Sequence, residues 1–394
     1  MKMKVVAIKS IADVSSGNTP SRRKSEYWNG SIPWITTGEL ESGYVTASKE
    51  CVTEKALKET ALKLYHKGTV LIAMYGQGKT RGTAAVLGIE ATVNQACAAL
   101  TVHSGCSKFL FYQLQNSYHA IRRLSNTGNQ ENLNAEIIKN FKIPWPDELE
   151  QQKIAAILST QDKVIELKEK LLVQKQQQKK YLMQQLLTGK LRLPDVNGEW
   201  TSVKLKELLI ERNEKNVEQN HRICSVAVSK GVVDQIEHLG RSYAAADTSN
   251  YGVAHYGDII YTKSPTGDFS LGIIKQNRMR ENVAISPLYG IYKPISFSTG
   301  YLLNIYFEST INTKNYLTPI VQKGAKNTIA ISNSAFLENK IFFPMDEATQ
   351  SRIAKVFELT DHEIDLLQKS IEAEKQKKKA LMQLLLTGKV SVRI

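Results

Sequence analysis

Two stretches of the chain stand out for the spacing of their apolar residues. Between residues 151 and 190, Ile154, Leu158, Ile165, Leu172, Leu182 and Leu186 fall on one heptad stripe. Between residues 350 and 389, Ile353, Phe357, Ile364, Leu367, Ile371, Leu381 and Leu385 do the same. Steps of three and four place apolar side chains on one face of an α-helix. Both stretches are rich in Gln, Lys, Glu and Leu, and neither has a Gly or Pro before Gly189 and Gly388, where a helix is expected to stop. A helix of about 36 residues at 1.5 Å each is a rod of roughly 55 Å. Midway, the stripe turns polar, with Gln161, Lys168, Lys175 and Lys179 in the first rod and Thr360, Glu374 and Lys378 in the second. Such a rod is marginal alone, but two in one chain can pair, and the polar positions would then fix their register.

The two stretches are copies of one another. At a constant offset of 199 residues and without a gap, 18 of the 40 aligned positions are identical, and LMQ-x-LLTGK occurs at Leu182–Lys190 and again at Leu381–Lys389. Each copy follows a proline-bearing aromatic stretch, IPWPDELE at 143–150 and IFFPMDEA at 341–348. The preceding blocks are related more loosely: Gly68-Thr-Val-Leu-Ile-Ala resembles Gly257-Asp-Ile-Ile-Tyr-Thr, and Val6-Ala-Ile-Lys-Ser-Ile resembles Val203-Lys-Leu-Lys-Glu-Leu. A repeat carrying a variable block of about 145 residues is a domain duplication, since solenoid repeats run 20–50 residues. The order is variable block, helix, variable block, helix. Were the helices antiparallel, the blocks would sit at opposite ends of a ruler-like rod.

Within the blocks, short β-like runs alternate with Gly, Asn, Ser and Pro. The first has Thr69–Tyr75, Thr83–Leu87 and Ala98–Val102; the second has Ile223–Val228, Asp258–Thr262, Leu271–Ile274 and Gly290–Tyr292. A helix is expected over Phe109–Leu124. The expected fold is therefore α+β: two mixed α/β domains separated by an antiparallel pair of long α-helices, with an internal pseudo-twofold repeat.

The chain has 394 residues, enough for two or three domains. Its longest apolar runs fall far short of the ~20 residues of a membrane helix, and its start lacks a signal-peptide core, so the expected location is the cytoplasm, with no membrane partner. Cys51, Cys97, Cys106 and Cys224 form no C-x-x-C pair, and the seven His residues are dispersed, which argues against a metal site or a disulfide framework. Charge changes the picture. Lys plus Arg number 52 against 38 acids, a net charge of +14, and such an excess suits a polyanion, most often nucleic acid.

Candidate contacts to DNA lie on loops that combine cations with hydrogen-bonding or aromatic groups. Ser21–Trp28 carries Arg22, Arg23 and Lys24 beside Tyr27 and Trp28. The turn Gly76–Gly82 offers Gln77, Lys79 and Arg81, and Lys263, Ser264 and Thr266 occupy the corresponding turn of the second block. Gln130 and Asn132 after Gly128 match Lys326 and Asn327 after Gly324. Arg and Lys can hold phosphates or guanine edges, and Asn and Gln can read adenine edges.

The stretch Ala73–Thr80 nearly fits the phosphate-cradling G-x-x-x-x-G-K-[ST], but Ala73 replaces its first Gly and a strand-like run follows instead of the required helix. There is no dinucleotide fingerprint, no N-P-P-[YF] or D-P-P-[YF], no G-x-S-x-G, no H-E-x-x-H and no nuclease-like carboxylate cluster. No catalytic residue and no cofactor are expected in this chain. On the residues alone two other readings stay open, a coiled-coil scaffold whose blocks bind protein and a stand-alone nuclease or methyltransferase. Charge weighs against the first, and the missing motifs against the second.

The paired LMQ-x-LLTGK segments, their Pro-then-Gln-Gln-x-Ile-Ala lead-in and Gly17-Asn-Thr-Pro-Ser…Tyr-Trp-Asn-Gly-Ser-Ile-Pro-Trp34 resemble the specificity subunit of type I restriction–modification systems across essentially the whole chain. The resemblance implies target recognition domains at 1–150 and 197–345, coiled-coil helices at 151–190 and within 346–394, and a linker at 191–196. It implies that each recognition domain reads half of a bipartite asymmetric target in double-stranded DNA, and that the helices fix the spacer. It also implies docking of two methyltransferase subunits, with motor–nuclease subunits completing the complex; S-adenosylmethionine, ATP and Mg belong to those partners. One departure concerns Trp200, which precedes Val203-Lys-Leu but has no Trp counterpart before Val6-Ala-Ile.

Overall fold

The structure, a computed structural model, describes every residue except 1–2, 126–131, 195, 197, 242–244, 324–328 and 393–394. The chain divides into two compact units, Met1–Lys170 with Lys369–Ile394, and Leu171–Gln368. The two long helices, Glu148–Leu186 and Glu347–Leu385, are 39 residues each. Each unit therefore holds part of both helices. In the first unit, Gln161, Lys168 and Asp162 meet Glu374 and Lys378; in the second, Lys175 and Lys179 meet Glu363 and Asp361. Residue numbers rise along one helix as they fall along the other, so within each unit the helices are antiparallel.

The first unit is built on a five-stranded sheet. Its order is Ala12–Ser16, Cys97–Val102, Val70–Ala73, Ala84–Leu87 and Tyr44–Val45. Successive residues face two different cores: Val70, Ile72, Val86 and Leu100 join the cluster with Phe109, Ile154 and Leu158, whereas Leu71, Ala73, Leu87 and Ala99 join the cluster with Ile35 and Leu40. A sheet covered on both faces needs apolar residues at every position, which is why its strands read as unbroken apolar runs. A three-stranded sheet, Glu50–Val52, Trp28–Ile35 and Thr92–Val93, completes the unit.

The second unit repeats this frame. Its first sheet runs Leu209–Glu211, Gly290–Pro294, Ile259–Tyr261 and Ile274–Gln276, the order of the first four strands above. The same alternation separates Ile259, Tyr261 and Tyr292 from Ile260 and Ile291. Its other sheet orders Gly231–Asp234, Arg222–Ala227, Val283–Ile285 and Gly252–Ala254, and the parallel pair Arg222–Ala227 with Val283–Ile285 mirrors the parallel pair Trp28–Ile35 with Thr92–Val93.

Two expectations are corrected. The helix expected over Phe109–Leu124 is two helices, Ser107–Asn116 and Tyr118–Arg123, because Ser117 leaves helical geometry at φ −91° and ψ 6°. The strand expected at Leu271–Ile274 is Ile274–Gln276; Lys275 and Gln276 look polar but are buried, with the Gln276 side chain donating to the carbonyls of Gly257 and Phe297.

Each unit closes in the same way. Val5–Ala7 pairs antiparallel with Lys142–Pro144 just before the first long helix, and Trp200–Lys204 pairs with Lys340–Pro344 just before the second. Each long helix ends on a left-handed glycine, Gly189 at φ 69° and Gly388 at φ 72°, with the amide of Leu191 reaching the Gln185 carbonyl and that of Val390 the Leu384 carbonyl. Trp200 packs beside Gly189, and Met3 takes that place beside Gly388. The missing tryptophan of the first block is thus replaced by a methionine, which can follow the same backbone with a flexible side chain.

Candidate nucleic-acid interface

The loops singled out in the two blocks are tips of equivalent hairpins. Residues 74–83 join Val70–Ala73 to its antiparallel partner Ala84–Leu87, and residues 262–273 join Ile259–Tyr261 to Ile274–Gln276. The loop after Ala73 leads into a strand, so it is no helix-capped phosphate cradle. Gln77 and Lys79 are exposed on it, whereas Arg81 is buried at 7% exposure. Arg122 holds this loop from behind. Its guanidinium donates to the carbonyl oxygens of Arg81 (2.6 Å) and Gly78 (2.9 Å) and to Tyr118 Oη (3.1 Å), and Tyr118 Oη donates to the Lys79 carbonyl at 2.7 Å. Arg122 and Tyr118 carry no sequence signal of their own; the helix Tyr118–Arg123 sets them four apart on one face. Asn132 is brought to the same place, because the amide of Leu133 donates to the Met74 carbonyl at 3.0 Å.

In the second unit, Lys263 is half-buried with φ 55°, a left-handed conformation that is strained for a residue with a Cβ. Burial lowers its pKa from the ordinary lysine value, against the opposing pull of Glu211. Ser264 is exposed, and Thr266 is half-buried and closes a tight turn through paired backbone bonds with Phe269. Gln130, Lys326 and Asn327 lie outside the described residues.

Arg22, Arg23 and Lys24 belong to a different part of the first unit, beside the three-stranded sheet. Arg22 makes a two-pronged ion pair with Glu50 (2.5 and 2.8 Å) and lies 3.7 Å above the Trp28 ring. The hydrogen bond to Arg22 holds the Glu50 carboxyl below its ordinary range. Lys24 donates to Tyr27 Oη at 2.9 Å, and Arg23 is exposed. The indole N–H groups of Trp28 and Trp34 donate to the carbonyls of Ser21 and Asn18, which explains the local conformation of the Gly17–Trp34 motif.

On the helix pair, Ile154, Leu158, Ile165 and Leu186 are buried in the first helix and Leu172 and Leu182 half-buried. In the second, Ile353, Phe357, Ile371 and Leu385 are buried, and Ile364 and Leu381 half-buried. The polar middle is satisfied within each unit. Gln161 donates to Glu374 at 2.7 Å and Lys168 pairs with it at 2.7 Å, together holding its carboxyl below the ordinary range. Lys175 pairs with Glu363 and Lys179 with Asp361, each at 2.7 Å. A slip would separate these partners, most of them at least half-buried, so the polar stretch selects one alignment.

A sequence profile described as the type I restriction modification DNA specificity domain matches residues 1–175. Over these residues the chain is similar to that domain family. The specificity subunit of the type I restriction enzyme MjaIX from Methanocaldococcus jannaschii is 35% identical over 172 residues, 42% of this chain and 39% of the relative. The EcoR124I/EcoR124II specificity subunit from Escherichia coli is 30% identical over 151 residues, 37% of each chain. The matches thus span under two fifths of the length of these curated relatives. The fold match covers the remainder: the type I S subunit of M. genitalium superposes with a TM-score of 0.60 over 97% of this chain and 96% of that one, at 15% identity. The HsdS subunit of Thermoanaerobacter tengcongensis gives 0.53 over 98% and 97%, at 14% identity. The chain therefore has the α+β fold of these solved structures, with two mixed domains and a pair of long helices. Among the described residues no helix is long and apolar enough to cross a membrane.

Proposed function

We propose that the chain is the DNA sequence-specificity subunit of a type I restriction–modification complex and catalyses nothing itself. Recognition domains at 1–150 and 197–345 each read one half of a bipartite, asymmetric target in the major groove, and the paired helices set the unread spacer and dock methyltransferase subunits. Those partners supply the S-adenosylmethionine chemistry, and motor–nuclease subunits complete the complex. One observation carries this reading: the order of the first four strands in the unit matched over residues 1–175 recurs in the second unit, with a hairpin tip at the same place. Gln77, Lys79 and Asn132 in the first domain, and Lys263, Ser264 and Thr266 in the second, are the candidates for base and phosphate contact, with Arg81 behind them.

Two weak readers on one frame make a stringent one. A good bidentate base contact discriminates by about 1–3 kcal/mol, and tethering makes the second reading effectively intramolecular. The net charge of +14 supplies sequence-independent attraction to phosphates. The test is selection from a random duplex library by the chain reconstituted with its methyltransferase partner, at moderate salt. Two short motifs at one fixed separation are expected; binding without sequence enrichment would reduce the chain to a basic scaffold.

A further inference from the structure

Each unit contains the same three-residue junction between its recognition domain and the two long helices. In the first unit Tyr112, on the helix Ser107–Asn116, donates from Oη to Asp162 Oδ2 at 2.8 Å. Lys378, from the other long helix, pairs with Asp162 Oδ1 at 2.6 Å and lies 5.5 Å from the Tyr112 ring centre. In the second unit Tyr301, on the helix Phe297–Phe307, donates to Asp361 Oδ2 at 2.9 Å, and Lys179 pairs with Asp361 Oδ1 at 2.7 Å. Asp162 and Asp361 are 199 residues apart, as are Lys179 and Lys378, so both pairs are identities of the duplicated helix. The tyrosines come from the variable blocks, where no alignment of the sequence joins them. Both are buried, at 3% and 0% exposure.

A second fastening lies three turns earlier on the same helix. Buried Gln151 donates to the Pro146 carbonyl and accepts from the amide of Cys106, the residue preceding the helix of Tyr112. Buried Gln350 donates to the Pro344 carbonyl and accepts from Thr299 Oγ1, within the helix of Tyr301. Gln151 to Asp162, and Gln350 to Asp361, are each 11 residues, roughly 16 Å along a helix. One attachment point leaves a hinge, whereas two set an angle. The carboxylate is also the point where both long helices and the recognition domain meet, because its two oxygens are taken by groups from different elements.

We propose that Tyr112–Asp162–Lys378 and Tyr301–Asp361–Lys179 are positioning groups that hold each recognition domain at a set angle on the helix pair, and so determine how sharply one spacer length is preferred over its neighbours. None of the six touches DNA in this proposal. It rests on the DNA-reading function above, and it separates two properties: half-site sequence belongs to the hairpin tips, spacer stringency to the junctions.

The reconstituted complex is tested against duplexes carrying the selected half-sites with the preferred spacer or with one base pair more or fewer. Tyr112→Phe and Tyr301→Phe are expected to leave both half-sites unchanged and to lower the preference for the correct spacer about tenfold each, the size a hydrogen bond to a charged group supports. Ile138→Val, a core change in the first unit away from the junction, serves as a match for any loss of thermal stability and is expected to keep the preference. Unchanged preference in both Phe variants, or an equal loss in Ile138→Val, overturns the proposal. Should the Phe variants fail to fold, Asp162→Asn keeps an acceptor for the tyrosine while dropping the lysine pair, and a smaller loss is expected; an intact preference there is equally fatal. Absence of any enriched motif with the unaltered chain would instead overturn the DNA-reading function and leave the spacer measurement without an object.

Discussion

The two units share a frame and differ at their tips. In both, a sheet with the same order in its first four strands is covered on both faces, a terminal strand closes against the last strand before a long helix, and a buried glutamine and a tyrosine–carboxylate–lysine junction fasten the domain to the helices. The hairpin tips diverge. That of the first unit is held by Arg122 and Tyr118 through its carbonyls and leaves Gln77 and Lys79 exposed. That of the second is longer and carries a strained, half-buried Lys263. Attachment to a common pair of helices constrains the frame, whereas a tip that is supported from behind can change its outward side chains at little cost to the fold.

If the frame is common, matched core positions must respond alike. Phe357→Ala is expected to cost about 3–5 kcal/mol and Leu158→Ala, its counterpart 199 residues earlier, about 2–5 kcal/mol. Both side chains are fully buried, each in its own unit's core. Denaturant unfolding checks this, and a cost under about 1 kcal/mol at either site would break the equivalence, given the usual range for such changes.

If the tips are independent, Arg122→Ala touches one reader only. Losing its bonds to the loop carbonyls should blunt discrimination at one half-site about tenfold, taking roughly 1.5 kcal/mol for bonds from a charged donor. The other half-site, measured in the same selection, should not change; loosening of both would join the tips into one site. The glycine stops of the two long helices also differ in what they meet. Alanine at either left-handed glycine costs about 1–2 kcal/mol, with Gly189→Ala the worse because its new Cβ would meet the rigid Trp200 ring at 2.9 Å, where Gly388→Ala meets the pliant Met3 side chain at 2.9 Å. Equal melting temperatures for the two variants would contradict that reading of the Met3 replacement.

Smaller effects follow from charge. Lys79→Ala should weaken DNA binding evenly across sequences and lower the salt slope by about 1, as loss of one phosphate contact does. In the second unit Glu338 is held at a pKa of about 2 by hydrogen bonds from Lys204 and Lys206. A carboxyl with a lowered folded-state pKa contributes stability above its ordinary range and loses it as pH falls toward about 2. The pair is exposed, so the acid-side loss should be slight and vanish in high salt. Comparison with Glu338→Gln across that range measures it; a salt-independent difference would point to another cause.

The helices were legible in the sequence because an amphipathic period and an exact-offset repeat reinforce each other, and because Gly189 and Gly388 mark their ends. Strand edges were harder to read. A sheet buried on both faces loses the alternation that marks a strand, and Lys275 and Gln276 conceal a buried strand behind polar names. The loop after Ala73 was visible from its glycines, but its support by Arg122 was not, since those bonds run to backbone carbonyls that any residue would supply. The junction tyrosines were invisible for a related reason: Asp162 and Asp361 stand out as repeated residues, whereas Tyr112 and Tyr301 reach them across 50 and 60 residues of divergent chain.

On the proposed reading, one frame carries two interchangeable readers. The most direct measurement replaces residues 197–345 with a second copy of 1–150 and repeats the duplex selection with the methyltransferase partner present. The account predicts that one half-site appears twice, separated by a fixed spacer, and that the other half-site disappears. Retention of the original asymmetric target, or enrichment of a single copy of the first motif, would contradict it.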